Sequence, residues 1–257
     1  MIIFKVPLYA GNLKIKKGLE KGPDAIVNAM KSFYLKEDGL LPFIDVKDVK
    51  VDNSDISSSN ESILKTVDFP SVIIGGDHSM TYSTFKAFSK KYQNPGLIVF
   101  DAHLDLVNDF SPPTHEDYLR VLIEEKHIKK ENVILVGTRN FHSNEIDFAK
   151  KNKLKIYSMK EISMEGKRKT ADAVMTAARK FDALYISVDI DVLDPAFAPG
   201  TGYIEPGGMS TRMLLYFIHR LRNLKNIYAW DLVEVNPDLD VREITVMAAA
   251  KIATEMC

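Results

Sequence analysis

The apolar positions of this chain fall into short, nearly uninterrupted runs rather than into an alternating pattern. Runs of this kind are typical of strands that are buried on both faces, as in a parallel sheet. They predict six strands, at Val72–Ile74, Leu97–Phe100, Val133–Val136, Leu154–Tyr157, Leu184–Val188 and Ile227–Trp230.

The segments between these runs carry apolar residues at helical spacing. They predict helices at Tyr82–Tyr92, Glu116–Glu125, Asn144–Lys151, Thr170–Lys180, Thr211–Leu221 and Glu243–Glu255. Ser210 is a suitable N-cap for the helix that begins at Thr211. Strand and helix alternate from about residue 70 to the end. This alternation predicts an α/β fold, in which a parallel sheet lies between helices and its crossovers are right-handed.

No internal repeat and no long linker interrupts the sequence, so we expect a single domain over residues 1–257. The most loop-like stretch is Asp45–Asn60, and its three serines at Ser57–Ser59 are typical of a flexible tip.

Composition and charge exclude several classes of protein. The chain has 34 basic and 35 acidic residues and is 46% hydrophobic, which argues against a nucleic-acid binder and against disorder. The only cysteine is Cys257, so no intramolecular disulfide can form. No apolar run approaches the ~18 residues of a membrane span. The first residues lack a signal-peptide pattern, so we expect a cytoplasmic protein that binds no membrane.

Polar residues that can bind ligands directly follow three of the predicted strands. Gly-Gly-Asp-His-Ser follows the first strand and contains His78, and Asp-Ala-His-Leu-Asp follows the second, at 101–105. Asp189 and Asp191 follow the fifth strand. The carboxyl ends of parallel strands are where ligands bind in open sheets, so these side chains are expected to converge on one site.

The composition of this set indicates a metal site. Carboxylates placed side by side without a cation would repel one another and lose hydration. Asp101, Asp105, Asp189 and Asp191, together with the imidazoles of His78 and His103, form a mixed oxygen and nitrogen ligand set. Such a set favours Mn²⁺, with Fe²⁺, Co²⁺ or Zn²⁺ as alternatives, and six ligands suit two metal ions.

Three stretches, GGDHS, DAHLD and SVDIDVLDPAFAPGTG, resemble the signature motifs of the ureohydrolase family, which includes arginases and agmatinases. The resemblance runs from Gly75 to Pro237, with weaker agreement at Gly18–Ile26. It implies a three-layer α/β/α sandwich, two Mn²⁺ per chain, hydrolysis of a small guanidinium substrate with release of urea, and a homo-oligomer, either a trimer or a hexamer. The metal ligands that it implies are the six residues reached above: His78, Asp101, His103, Asp105, Asp189 and Asp191.

The resemblance also implies roles in the reaction. A hydroxide that bridges the two metal ions would attack the guanidinium carbon, and Asp105 would orient it. Glu234, in Asp-Leu-Val-Glu-Val-Asn-Pro, would pair with the planar guanidinium through two parallel hydrogen bonds. His115 resembles the loop histidine that carries a proton to the departing amine, although the usual His-Gly-Thr is here His-Glu-Asp, with Glu116 and Asp117.

Within the family, the stretch Pro199–Gly208 resembles the agmatinase form rather than the arginase form. The connection between Asp105 and His115 is short and has few donors for a substrate carboxylate, whereas Asp109, Glu116 and Asp117 are available to a terminal ammonium group. Agmatine, which would give putrescine and urea, is therefore the favoured substrate. Tyr203 stands with Ile204 where the family usually has Thr-Pro, which makes its phenol a candidate substrate-binding group.

Four other interpretations compete with this one. An arginase or guanidinobutyrase would share the chemistry and differ in substrate. A metal-binding pseudoenzyme would keep the ligands and be inactive because of the changes at His115 or Tyr203. A binuclear metallophosphatase requires a Gly-Asn-His-Asp/Glu stretch, and a dinucleotide-binding module requires Gly-x-Gly-x-x-Gly after a strand; the sequence has neither.

Overall fold

The computed structural model describes residues 1–14, 17–42 and 45–257. Within these ranges, eight strands form one sheet in the order β2-β1-β3-β8-β7-β4-β5-β6, and every neighbouring pair is parallel. The strands are β1 (Ile2–Val6), β2 (Asp45–Asp48), β3 (Ser71–Gly75), β4 (Pro95–Phe100), β5 (Val133–Val136), β6 (Lys155–Tyr157), β7 (Ala183–Asp189) and β8 (Ile227–Val233).

The described residues form nine α-helices. These are α1 (Gly22–Met30), α2 (Ile56–Thr66), α3 (Met80–Lys91), α4 (Tyr118–Glu124), α5 (Ser143–Asn152), α6 (Met159–Glu165), α7 (Lys167–Ala178), α8 (Thr211–Leu221) and α9 (Ile244–Met256). The six predicted strands and six predicted helices are confirmed, with small shifts at their ends. Ser210 caps α8 as predicted, because its side chain accepts a hydrogen bond from the amide of Met213.

The prediction of a loop at Asp45–Asn60 holds only for residues 49–55. Asp45–Asp48 is strand β2, and Ser57–Ser59 lies in the first turn of α2 rather than in a flexible tip. Asp55 caps this helix by accepting hydrogen bonds from the amides of Ser57 and Ser58, and the buried Ile63 anchors it. A strong N-cap and one apolar anchor thus outweigh the weak helix propensity of the serines.

The central strands are buried on both faces, as their continuous apolar runs predicted. In β4, Ile98 and Phe100 belong to one apolar core, whereas Leu97 and Val99 belong to the other. Helices α1, α7, α8 and α9 contribute to the first core, and α2, α3, α4 and α5 to the second. These layers form the predicted three-layer α/β/α sandwich. The single domain over residues 1–257 stays a prediction.

The candidate site residues follow strands that are neighbours in the middle of the sheet. Strands β3, β8, β7 and β4 are adjacent in that order, and because they are parallel, their carboxyl ends lie along one edge. The connections after these strands therefore meet above the centre of the sheet, where α/β proteins bind ligands. None of the helices in the described ranges is long and apolar enough to cross a membrane.

Candidate metal centre and substrate pocket

The six predicted metal ligands lie together at this edge. His78 follows β3, the residues at 101–105 follow β4, and Asp189 ends β7 just before Asp191. His78 and the four aspartates are buried, and His103 is partly exposed. The sequence-based prediction that three strand ends converge is therefore confirmed.

One imidazole nitrogen of His78 faces three carboxylates. Its Nδ1 lies 3.2 Å from Oδ2 of Asp101, 3.1 Å from Oδ2 of Asp105 and 3.2 Å from Oδ2 of Asp189. This Nδ1 atom is buried, and no described residue forms a hydrogen bond with it. Its position suits a nitrogen whose lone pair binds a metal ion at the centre of those oxygens.

A second group forms around His103. Its Nδ1 lies 3.4 Å from Oδ1 of Asp101 and 3.0 Å from Oδ2 of Asp191. The two oxygens of Asp101 thus face different histidines. In each of two triads, His78–Asp101–Asp105 and Asp101–His103–Asp191, all the ligand atoms lie within 4.8 Å of one another. Two adjacent cation positions that share Asp101 fit this geometry.

The electrostatics of the cluster agree with a cation site. Burial raises the pKa of Asp105 to about 8, and the neighbouring Asp101 carboxylate adds to the rise. Burial and the charge of Asp191 likewise raise the pKa of Asp189 well above its usual range. Without a cation, these carboxyls hold protons that a divalent metal ion would displace. The donor set therefore fits the implied metal centre.

A buried polar chain supports His78 from behind. Its Nε2 lies 2.9 Å from Oγ of Ser187 and 3.0 Å from the hydroxyl of Tyr118. Ser187 donates in turn to Asp231, which also accepts hydrogen bonds from Tyr185 and Thr81. The sequence analysis assigned Ser187 and Asp231 no role. The sequence could have identified them as polar residues inside otherwise apolar strands, because a buried polar side chain needs a hydrogen-bond partner.

Glu234 lies beside the candidate metal ligands, as predicted. Its Oε1 accepts a 2.8 Å hydrogen bond from the amide of His78, and its own amide donates to the carbonyl of Gly76. Its φ of +64° is in the left-handed region, which a glutamate adopts at a cost and which is common at functional sites.

His115 lies next to Glu234, with its Nδ1 3.4 Å from Oε1 of that carboxylate. Burial lowers the pKa of His115, but the hydrogen bond and charge of Glu234 outweigh this effect and raise the pKa to about 9. The Nε2 atom of His115 is buried and has no hydrogen-bond partner among the residues that the structure describes. The predicted proton-carrying histidine is therefore at the pocket, with one nitrogen available to a substrate.

Asn12 is a site residue that the sequence analysis missed. Its side-chain amide lies 3.4 Å from Nδ1 of His115 and 3.4 Å from Oε2 of Glu234. The carboxylate of Asp77 holds the loop of Asn12 in place by accepting the amide of Gly11. No local motif marks Asn12, because its place at the site depends on contacts with residues far along the chain.

Tyr203 reaches the pocket, but its hydroxyl is already engaged: it donates a 2.8 Å hydrogen bond to Oε1 of Glu116. The two other acids suggested for an ammonium group are elsewhere. Asp117 is buried and accepts hydrogen bonds from the amide and hydroxyl of Thr114, and Asp109 is exposed and does not line the pocket. Of the three proposed acids, only Glu116 is placed to meet a substrate.

The pocket beside the candidate metal ligands is a cavity of about 80 Å³. Its charged lining consists of six acids and four histidines, and no lysine or arginine of the described ranges lines it. In chain order, these are His78, His103, Asp105, His115, Glu116, His142, Glu145, Asp189, Asp191 and Glu234. Drug-sized pockets have roughly 300–1,000 Å³. The enclosed space therefore suits a small cationic head group, and a longer substrate would extend through the mouth.

The chain matches known proteins over its whole length. A formimidoylglutamase of Halalkalibacterium halodurans is 35% identical over 242 residues, covering 88% of this chain and 76% of that relative. An arginase of Staphylococcus aureus is 33% identical over 243 residues, covering 88% and 78%. The crystal structure of formimidoylglutamase from Bacillus subtilis superposes with a TM-score of 0.92 and 30% identity, covering 99% of this chain and 85% of that one.

The family model that matches is that of the arginase family, and it spans residues 1–257. The relatives named here are a formimidoylglutamase and an arginase rather than agmatinases. Together with the strand-end motifs and the paired clusters around Asp101, the match establishes that this chain belongs to the arginase family of ureohydrolases.

Proposed function

We propose that this protein is a binuclear manganese hydrolase that cleaves the guanidinium group of agmatine to putrescine and urea. One observation carries the substrate assignment: the described pocket lining contains carboxylates and histidines but no lysine or arginine. This acidic lining favours a substrate that is cationic at both ends, as agmatine is, and offers no cationic partner to a substrate carboxylate.

Six side chains would hold the two Mn²⁺ ions: His78, Asp101, His103, Asp105, Asp189 and Asp191. When bound, such ions supply a water that is activated near neutral pH and an electrophile that stabilises developing negative charge. Asp101 would contribute to both positions, because each of its oxygens faces a different histidine. By the family resemblance, Asp105 would orient the nucleophile as well as bind metal.

The protein side chains beside the cluster would bind the substrate and move the proton. Glu234 would accept hydrogen bonds from the guanidinium, while the amide of His78 fixes the orientation of its carboxylate. Nε2 of His115 has no partner within the described part of the chain and would donate a proton to the departing amine. The Glu234 carboxylate keeps His115 protonated, because it raises the pKa of the imidazole.

A second candidate is hydrolysis of formimidoylglutamate, and the observation in its favour is the 35% identity to a formimidoylglutamase. The same attack and the same departing amine would then give formamide and glutamate instead of urea. An arginase is a related alternative, supported by the 33% identity to an arginase. Both substrates carry carboxylates, for which the described pocket lining offers no lysine or arginine.

The test is product analysis with Mn²⁺-loaded and metal-stripped protein. Agmatine, arginine, 4-guanidinobutyrate and formimidoylglutamate are assayed side by side for urea and formamide. The highest kcat/KM on agmatine, with urea as product and dependence on metal, is the expected result. A higher kcat/KM on arginine or formimidoylglutamate would overturn the agmatine assignment. Bound metal without any product would identify a pseudoenzyme.

The assembly and location of the protein are also proposals that rest on the family resemblance. We expect a trimer or hexamer in the cytoplasm. Light scattering of the purified protein measures the number of subunits, and a monomer at micromolar concentration would contradict the proposed assembly.

A further inference from the structure

Two loops from neighbouring strands meet across the mouth of the pocket through one hydrogen bond. The hydroxyl of Tyr203, in the connection after β7, donates to Oε1 of Glu116, in the connection after β4, at 2.8 Å. Both side chains line the pocket and are partly exposed. We call this pair the Glu116–Tyr203 bridge. These are also two positions at which the sequence departs from the motifs of its family.

The ring of Tyr203 forms part of the wall above the reacting groups. Its centroid lies 5.3 Å from that of His103 and 5.9 Å from that of His115. The ammonium of Lys14 lies 4.3 Å from the same centroid, as a cation over the ring, and Lys14 does not line the cavity. The ring is thus held on several sides, which keeps its hydroxyl directed at Glu116.

His115 lies between two carboxylates, that of Glu234 beside the candidate metal ligands and that of Glu116 at the mouth of the pocket. Nδ1 of His115 is 3.4 Å from Glu234, and its Nε2 is 3.8 Å from Oε1 of Glu116. One imidazole therefore separates an inner carboxylate, placed for a guanidinium, from an outer one. Because the cavity holds little more than a head group, the tail of a longer substrate must pass this outer carboxylate.

From this geometry we propose that the Glu116–Tyr203 bridge determines substrate specificity by selecting a cationic tail and rejecting an anionic one. This inference rests on the proposed function for one point, namely that Glu234 binds the head group of the substrate. A carboxylate at the mouth attracts a terminal ammonium group and repels a terminal carboxylate. Tyr203 contributes by fixing the position of that carboxylate rather than by contacting the reacting atoms.

The test compares agmatine with 4-guanidinobutyrate, which have nearly the same length and opposite charges at the tail. The measured quantity is the ratio of their kcat/KM values in the Mn²⁺-loaded protein. Glu116→Gln removes the charge and keeps the shape, and Tyr203→Phe removes only the hydroxyl. We expect Glu116→Gln to lower the preference for agmatine about tenfold or more, as for the loss of one charge-assisted hydrogen bond, and Tyr203→Phe to lower it by less.

Glu131→Gln and Tyr34→Phe are matched controls, since both residues are exposed and lie outside the pocket. They are expected to leave the ratio unchanged, and melting temperatures verify that every variant is folded. The wild-type protein offers a second measurement: added salt should reduce the preference for agmatine, because the outer carboxylate is partly exposed and its charge is screened.

An unchanged ratio in Glu116→Gln or in Tyr203→Phe, or a ratio in the wild type that does not respond to salt, would overturn the proposal. Failure of the proposed function gives a different result. If the wild type hydrolyses neither compound, their inhibition constants against formimidoylglutamate hydrolysis replace the kcat/KM values, and the same variants then test the bridge.

Discussion

Ser187 Oγ donates a 2.6 Å hydrogen bond to Oδ1 of Asp231, and this hydroxyl oxygen of Ser187 also lies 2.9 Å from Nε2 of His78. Asp231 is fully buried. The chain from carboxylate through hydroxyl to imidazole fixes the ring so that Nδ1 of His78 faces the metal position. A buried partner of this kind sets the tautomer and orientation of a metal-binding histidine.

Replacement of Ser187 by alanine is therefore expected to weaken metal binding although Ser187 touches no metal. Loss of such a supporting contact typically reduces metal affinity by about 10- to 100-fold. Competition between the protein and a chelator for Mn²⁺ measures the change. Ser58→Ala is the control, because Ser58 is exposed on α2. Equal Mn²⁺ affinity in Ser187→Ala and wild type would show that Tyr118 alone orients the ring.

Asp101 and Asp191 are expected to differ in how many metal ions depend on them. Asp101 belongs to both clusters, whereas Asp191 belongs only to the cluster of His103. Asp101→Asn should remove most bound metal. Asp191→Asn should reduce the content from two Mn²⁺ per chain to about one, because the cluster of His78 keeps its ligands.

Elemental analysis of the purified variants after dialysis against Mn²⁺ gives these stoichiometries. Asp147→Asn, an exposed change on α5, should retain the wild-type content. A full complement of metal in Asp101→Asn would refute a shared carboxylate, and loss of both ions in Asp191→Asn would show that the two sites fill only together.

Much of the fold and metal cluster was predictable because its signals are local. A continuous apolar run ended by ligand-capable residues identifies both a buried strand and the edge at which its chemistry lies. Strand β1 gave a weaker signal, since Lys5 interrupts it. The structure accounts for that lysine through ion pairs with Asp24 and Asp48. Strand β2, which pairs with β1 at the edge of the sheet, is short and mostly exposed, so its pattern is weak.

The pocket mouth was less predictable because it depends on contacts between distant segments. Glu116 and Tyr203 are 87 residues apart, and Asn12 lies 222 residues from Glu234. The interpretation of Asp117 as a ligand for ammonium was wrong for a related reason. Its carboxylate accepts hydrogen bonds from Thr114, three residues before it, and this local turn draws it into the interior.

The His115–Glu234 pair predicts a pH effect in the metal-free protein. The folded pKa of His115 is about 9, above the ~6.5 of an unfolded histidine. Protonation of His115 therefore stabilises the folded state fully below about pH 6.5, and this contribution is lost as the pH rises through about 9. Glu234→Gln should lower the pKa of His115, because burial disfavours the charged imidazole and the Glu234 carboxylate no longer opposes this effect.

NMR titration of the imidazole resonances measures both values. His127 serves as an internal reference, because burial lowers its pKa and it should titrate before His115 as the pH rises. A midpoint of 6.5 or below for His115 in the wild type would contradict the pairing with Glu234. If the midpoint of His115 is unchanged in Glu234→Gln, carboxylates other than Glu234 raise its pKa.

The last prediction concerns Gly76, the second glycine of the strand-end motif. A Cβ atom at this position would lie 1.9 Å from the carbonyl oxygen of Leu8, which accepts the amide of Asp77. The carbonyl of Gly76 accepts the amide of Glu234, so any backbone shift would also displace that carboxylate. Gly76→Ala should destabilise the protein by about 1–3 kcal/mol or more and reduce kcat/KM.

Urea unfolding measures the stability, and Gly39→Ala provides the comparison. A Cβ atom at Gly39 would meet no atom within 4 Å, and its φ of +81° alone would cost about 1–2 kcal/mol. Because Gly39 does not line the pocket, its substitution should leave kcat/KM unchanged. A Gly76→Ala protein with wild-type stability and activity would mean that the loop at Leu8 can move away without displacing Glu234, and the glycine would then not be required for the site.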